Sequence, residues 1–270
     1  MSFFDKVFND IGEFTRVEDA EEEVCELYSV YYGSSGSSRL NLVDPSKSSI
    51  EVEVSGGPRV LELTIAQNPN INSERGQTGA VVWNSSVVLS EFLARHWSSW
   101  ALSDVNAVEL GAGCGLVGIA MHQLGTRRVV LTDQPRMLRL LTRNADHNRV
   151  AQSGRRRAGV AQGELLVAEY VWGRPAEDAR VLAQPVDVAV VSDCVYHESV
   201  APLLVQSLVD VCSSRDDSVP VVALVGQELR SDLVHQVFVE ALLEHFELYR
   251  VPVHPDVDGS YVLYAMWLRK

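Results

Sequence analysis

The chain has 270 residues, 46% of them hydrophobic, which suits one large α/β domain with extensions or two small domains. Its formal charge of −13 argues against non-specific attraction to nucleic acid or to an anionic membrane. Four scattered cysteines, seven histidines without metal-ligand spacing and no apolar run of about 18 residues exclude a disulfide scaffold, a recognisable metal centre and a membrane span.

In chain order, MSFFDKVFNDIGEF places Phe3, Phe4, Val7, Phe8, Ile11 and Phe14 at helical spacing. A helix packed by that stripe is expected, and the interrupting charges leave no secretory apolar core. Residues 1–60 hold twelve acidic and five basic side chains, centred on EDAEEEVCE at 18–26. A solvated helix face or loop is expected there, and a docking surface for a basic protein is the alternative. Ser34-Ser35-Gly36-Ser37-Ser38 reads as a loop. IEVEVSGGPRVLELTIAQ, residues 50–67, alternates apolar and polar residues around Gly56-Gly57-Pro58 and predicts a β-hairpin. The polar stretch NPNINSERGQTG follows. Val87, Val88, Phe92 and Leu93 then predict a helix within AVVWNSSVVLSEFLARHW.

From Val105 the pattern becomes strand–helix alternation. Strands are predicted at 106–110, 129–133, 163–172, 186–193 and 219–226, and helices open at Gly118, Pro135, Ser199 and Ser231. Proline at a helix start costs no hydrogen bond. Two closing strands, FELYRVPV and YVLYAMWLR, flank the turn-rich HPDVDGS and must pair antiparallel. The expected fold class is α/β: a doubly wound, mostly parallel seven-stranded sheet with an antiparallel C-terminal strand and an N-terminal helix and hairpin extension. The extension is assigned to 1–59 and the main domain to 60–270.

Chemistry concentrates at the carboxyl ends of those strands, where open α/β sheets bind ligands. In VELGAGCGLVGIA, Gly111, Gly113, Gly115 and Gly118 follow the first core strand and open a helix. Glycine permits close backbone approach, and the helix start offers free N–H groups. Gly113 to Gly118 formally matches a dinucleotide-binding turn, and S-adenosylmethionine is the competing ligand. Glu109 favours the second, because a carboxylate there repels a pyrophosphate and suits the ammonium of a methionine moiety, directly or through water. Asp133 ends the second strand, where an acid hydrogen-bonds ribose hydroxyls of either ligand. A second motif, VVSDCVY, sets Asp193 at the end of the fourth strand with Tyr196 three residues on. Asp193 is a candidate to aim an incoming amine; helix capping is the structural alternative. The absence of proline after Asp193 argues against a nucleic-acid amino methylase. Arg155-Arg156-Arg157 reads as a solvated face, and Gln227-Glu228-Leu229-Arg230 ends the fifth strand on the cleft side.

Four motifs in order carry a family resemblance: Thr78-Gly79-Ala80-Val81-Val82-Trp83, VELGAGCGLVGIA, Trp172-Gly173 and Asp193-Cys194-Val195-Tyr196. From about residue 60 onward the chain resembles a class I, seven-β-strand S-adenosylmethionine-dependent methyltransferase of Rossmann-like fold. It is most similar to the family-16 protein lysine methyltransferases. The resemblance implies S-adenosyl-L-methionine as cofactor and S-adenosyl-L-homocysteine as product. It places Trp83, Gly111, Ala112, Gly113, Asp133, Trp172 and Ser192 around the cofactor, with Asp193 and Tyr196 at the reacting amine. Asn144 and Asn148 resemble a paired asparagine of the family and read as capping or packing groups. The implied partner is a protein with an accessible lysine, such as a chaperone or translation factor, and the cysteine usage points to a cytoplasmic or nuclear setting. A small amine or a histidine as acceptor, and a catalytically weak scaffold, are the alternatives.

Overall fold

The structure is a computed structural model in which residues 2–12, 14–33, 42–57, 59–70, 79–153, 163–215, 219–253, 257 and 259–270 are described. The serine-rich loop, Thr78, Pro58 and the Arg155–Arg157 cluster lie outside them.

Four apolar runs form the centre of the main sheet: β4 (Asn106–Leu110), β5 (Arg128–Asp133), β7 (Val188–Ser192) and β8 (Val222–Glu228). Every residue of β4, β5 and β8 is buried, as parallel strands covered on both faces require. With β1 (Thr15–Val17), β6 (Glu164–Glu169), β9 (Phe246–Val251) and β10 (Tyr261–Leu268), the order is β1-β9-β10-β8-β7-β4-β5-β6. The strands β6, β5, β4, β7 and β8 run parallel, and β10 lies antiparallel between β8 and β9. The predicted seven-stranded core is therefore present. An eighth strand, β1, comes from the N-terminal segment and pairs Thr15 to Val17 with Arg250 to Leu248.

Helices cover both faces. One face carries α3 (Asn84–His96), α4 (Leu116–Gln123) and α5 (Leu138–Ser153), together with the hairpin β2 (Ser49–Val54) and β3 (Leu61–Ala66). The hairpin buries every second residue of β2, so Ile50, Val52 and Val54 join this core. The opposite face carries α2 (Ala20–Gly33), α6 (Ala201–Cys212) and α7 (Asp232–Leu243). Strand alternation divides β4 between the two layers: Ala107 faces α3, α4 and α5, whereas Val108 and Leu110 face the other side.

The aromatic stripe is helical only from Phe3 to Ile11, the helix α1. Phe14 lies beyond it and stacks on Phe8 at 5.3 Å between ring centroids. Asp10 of α1 meets His96 and Ser99 at the end of α3, at 2.5 and 2.7 Å. The acidic stretch forms the first turns of α2, where carboxylates complement the helix dipole. It is not all solvated. Glu23 is buried, accepts from the Tyr264 hydroxyl at 3.0 Å and pairs with Arg250 at 3.3 Å. The helix after β5 starts at Leu138 rather than at Pro135, because a turn bonding Met137 to Gln134 intervenes.

Candidate active site

One pocket opens at the carboxyl edge of β4, β5 and β7, and the segment before α3 forms its far wall. Trp83, Gly111, Ala112, Gly113, Asp133, Trp172, Ser192, Asp193 and Tyr196 all line it. These residues span 114 positions of sequence; the sheet order brings them together, because β5 and β7 flank β4.

The glycine turn explains the floor. Gly111, Gly113 and Gly115 have φ of 68°, 55° and 86°, a region that side chains strain to enter. A Cβ on Gly111 would lie 2.4 Å from the Trp172 ring, and one on Gly113 would lie 2.7 Å from the Gly79 carbonyl oxygen. Trp172 therefore packs directly on the turn. It sits in the turn after β6 and not within the strand, which ends at Glu169.

Asp133 is buried at the end of β5. Gly113 N–H donates to its Oδ2 at 2.8 Å and Gln134 N–H donates to its Oδ1 at 2.7 Å. Burial pushes its carboxyl up to about 6, against the pull of those two amides. Each oxygen holds one amide and keeps acceptor capacity for a hydroxyl.

Glu109 lies behind the pocket lining. It is buried but does not line the pocket. Its Oε2 accepts from Gly118 N–H at 2.9 Å, behind the glycine turn, and burial raises its carboxyl to about 8. A Cβ on Gly118 would fall 2.6 Å from that oxygen. Glu109 therefore anchors the first turn of α4 from outside the pocket lining.

Asn144 and Asn148 are also packing groups. Asn144 donates to the carbonyls of Ala66 and Cys114, each at 2.9 Å, and accepts from Ala66 N–H at 2.9 Å. Asn148 donates to the Thr64 carbonyl at 3.0 Å. The pair thus ties the hairpin to the glycine turn. Gln67 acts similarly on the entry segment, accepting from Val82 N–H at 2.7 Å.

At the other end of the pocket, Asp193 takes φ of 54°, one of two described non-glycine residues with positive φ. Aspartate tolerates this region better than most residues. Its side chain is 1% exposed. Oδ1 accepts from Arg230 at 2.7 Å, Gln227 at 3.1 Å and Glu228 N–H at 3.4 Å, while Oδ2 accepts from Arg230 at 2.6 Å. Capping is not its role, since α6 starts eight residues later at Ala201 with no side-chain cap. Arg230 was legible in sequence only as part of Gln227–Arg230. Its bidentate grip on Asp193 follows from β7 and β8 being neighbours, with Ser192 opposite Gly226. Tyr196 lies at the mouth, 42% exposed. Among the described residues no cluster suits a metal ion, and no helix is long and apolar enough to cross a membrane.

The core strand order, the glycine turn after its first strand and the acid ending its second define a class I S-adenosylmethionine-dependent methyltransferase. A family model described as lysine methyltransferase matches residues 62–244, and the chain belongs to that family, which uses S-adenosylmethionine. It is 31% identical over 179 residues to protein N-lysine methyltransferase METTL21A of Mus musculus, covering 66% of this chain and 73% of the relative. It is 30% identical over 154 residues to protein-lysine N-methyltransferase EFM6 of Saccharomyces cerevisiae, covering 49% of this chain and 58% of the relative. Among solved structures, the Pyrococcus abyssi tRNA (uracil-54, C5)-methyltransferase with S-adenosyl-L-homocysteine superposes with a TM-score of 0.44 at 15% identity. That match covers 82% of this chain and 45% of the other, and it is too distant to bear on activity.

Proposed function

We propose that this chain methylates a lysine side chain of a protein, with S-adenosylmethionine as methyl donor. The single observation that carries this is the family match over 62–244, which spans both the glycine turn and the Ser192–Tyr196 wall. Neither a small amine nor a histidine as acceptor is favoured by it.

The pocket residues fit the donor. Asp133 offers acceptor capacity to ribose hydroxyls, Trp172 and Trp83 offer aromatic surface to a flat base, and Gly111 to Gly113 line the pocket between them. When bound, the donor supplies a methyl group on a positively charged sulfur. The protein must then align an amine with that methyl and keep the amine neutral. Free lysine has a pKa of about 10.4, so most of it arrives charged. We assign the alignment to Asp193 and Tyr196. Asp193 Oδ2 takes one hydrogen bond where Oδ1 takes three, so it is the oxygen able to accept an N–H of the amine. Tyr196 walls the entrance, and water carries the released proton away.

Substrate choice is proposed to rest on residues 1–80 and the loops 196–200 and 227–232, from which Gly79, Tyr196 and Val200 line the pocket. A folded chaperone or translation factor is the partner class to test first, on the family resemblance. A cytoplasmic setting is proposed on four cysteines held as thiols. The test is incubation of the protein with methyl-labelled S-adenosylmethionine and an extract of cells lacking it. One or a few labelled protein bands bearing methyl-lysine are expected. Label confined to small molecules, or no label at all, would overturn the proposal.

A further inference from the structure

Asp193 meets a cation before any substrate arrives. Arg230 holds both carboxylate oxygens, at 2.7 and 2.6 Å, bonds Glu228 Oε2 at 2.7 Å, and stacks over the Trp83 ring at 5.1 Å from its centroid. One cation is therefore enclosed by two carboxylates and an aromatic face. Of this cluster, Trp83 and Asp193 line the pocket, beside Ser192 and Tyr196.

Two roles compete for such an arginine: a placeholder that the lysine displaces, or a fixed counter-charge. Chemistry favours the second. A guanidinium grips a carboxylate with two parallel N–H bonds, whereas an ammonium is a single point charge. The reacting amine must moreover be neutral, and a neutral amine cannot compete with an arginine for a buried carboxylate. A bare Asp193 would also work against the reaction, since a carboxylate beside an amine favours its protonated form.

Building on lysine methylation as proposed above, we infer that Arg230 is a positioning residue of the transfer site. It cancels the charge of Asp193, so that the carboxylate orients the amine without holding it as an ammonium. With the donor's sulfur charge, the local balance is two positive and two negative groups: the sulfonium and Arg230 against Asp193 and Glu228. Removing Arg230 leaves one against two. The other titratable groups around this end are Cys194 beside Asp193, Tyr196 at the mouth, Tyr261 of β10 facing Arg230, and Tyr28 of α2 approaching the Arg230 backbone. Asp133 and Arg136 line the pocket at the glycine turn, and Glu109 lies behind it.

The test compares wild type, Arg230→Gln, Arg230→Lys and the double variant Arg230→Gln with Asp193→Asn. Methyl transfer to the dominant labelled band of the extract is followed from pH 6.5 to 10 at saturating S-adenosylmethionine. Thermal unfolding of each cofactor-free protein is measured alongside. The rising limb of the Arg230→Gln profile should move up by about 1 to 2 pH units, so that its deficit shrinks at high pH. Arg230→Lys should keep the wild-type limb with lower turnover. The double variant should return the limb to its wild-type position and unfold at a higher temperature than the two single changes predict by addition. An unmoved limb with a pH-independent loss would make Arg230 merely structural, and faster transfer by Arg230→Gln at neutral pH would make it a displaceable latch. Either result overturns the inference while leaving lysine methylation standing. A wild type that labels no lysine removes both.

Discussion

Asp133 and Asp193 close strands on either side of β4, and both are buried, yet they are satisfied in opposite ways. Asp133 receives only backbone N–H groups, one per oxygen, and burial drives its carboxyl up to about 6. Asp193 receives an arginine, a glutamine and an amide, and its charge is matched by a charge. The first arrangement suits a neutral, hydroxyl-bearing partner, because it leaves lone pairs open and adds no cation. The second suits a partner that must arrive charged and react neutral. Equal residue types at equivalent strand ends thus acquire different chemistry from what the adjacent loop donates.

The comparison breaks or sharpens in four measurements. The largest effect is expected from Asp193→Asn: turnover should fall roughly 100-fold as the amine loses its alignment. Affinity for S-adenosylhomocysteine by calorimetry should stay within about threefold, since Asp193 does not face the ribose acid. Asp133→Ala should do the reverse, weakening S-adenosylhomocysteine by roughly 10- to 100-fold through lost hydrogen bonds to a charged acceptor. Equal losses of affinity in the two variants would erase the contrast. Third, affinity of the unaltered protein should be flat above pH 7 and decline as pH falls through about 6, where Asp133 takes up its proton. Asp133→Asn should bind weakly with no such slope. The smallest effect concerns Glu109, the buried acid that touches no cation and no pocket. Its folded carboxyl titrates near 8 against an ordinary 4.5, so its stabilising contribution is complete below pH 4.5 and is lost as pH rises through 8. Glu109→Gln should therefore match wild type in melting temperature near pH 4 and exceed it by several degrees at pH 9.

Much of this architecture was legible beforehand. The strands β4 to β10 announce themselves as apolar runs separated by helical patterns, and the glycines at 111, 113 and 115 mark the turn at the cleft. Asp133 and Asp193 were found because a polar residue terminating an apolar run has few places to go. Glu109 is harder to place from sequence, because nearness to the glycine turn points to the cleft whereas strand alternation points behind it. Its side chain follows Ala107 toward α4, away from the cleft. Arg230 lacked a local signal, since its partner lies 37 positions away and only adjacency of β7 and β8 joins them. Strand β1 was hidden as well. Three residues carry no periodicity, and the neighbouring phenylalanines suggested continued helix.

That short strand has a consequence for handling the protein. Without Thr15–Val17, the outer rim of β9 would present unpaired amide and carbonyl groups over Leu248–Arg250, a template for adding strands from other molecules. Shortened preparations that begin near residue 20 are expected to polymerise on concentration, long before any loss of the catalytic core becomes visible.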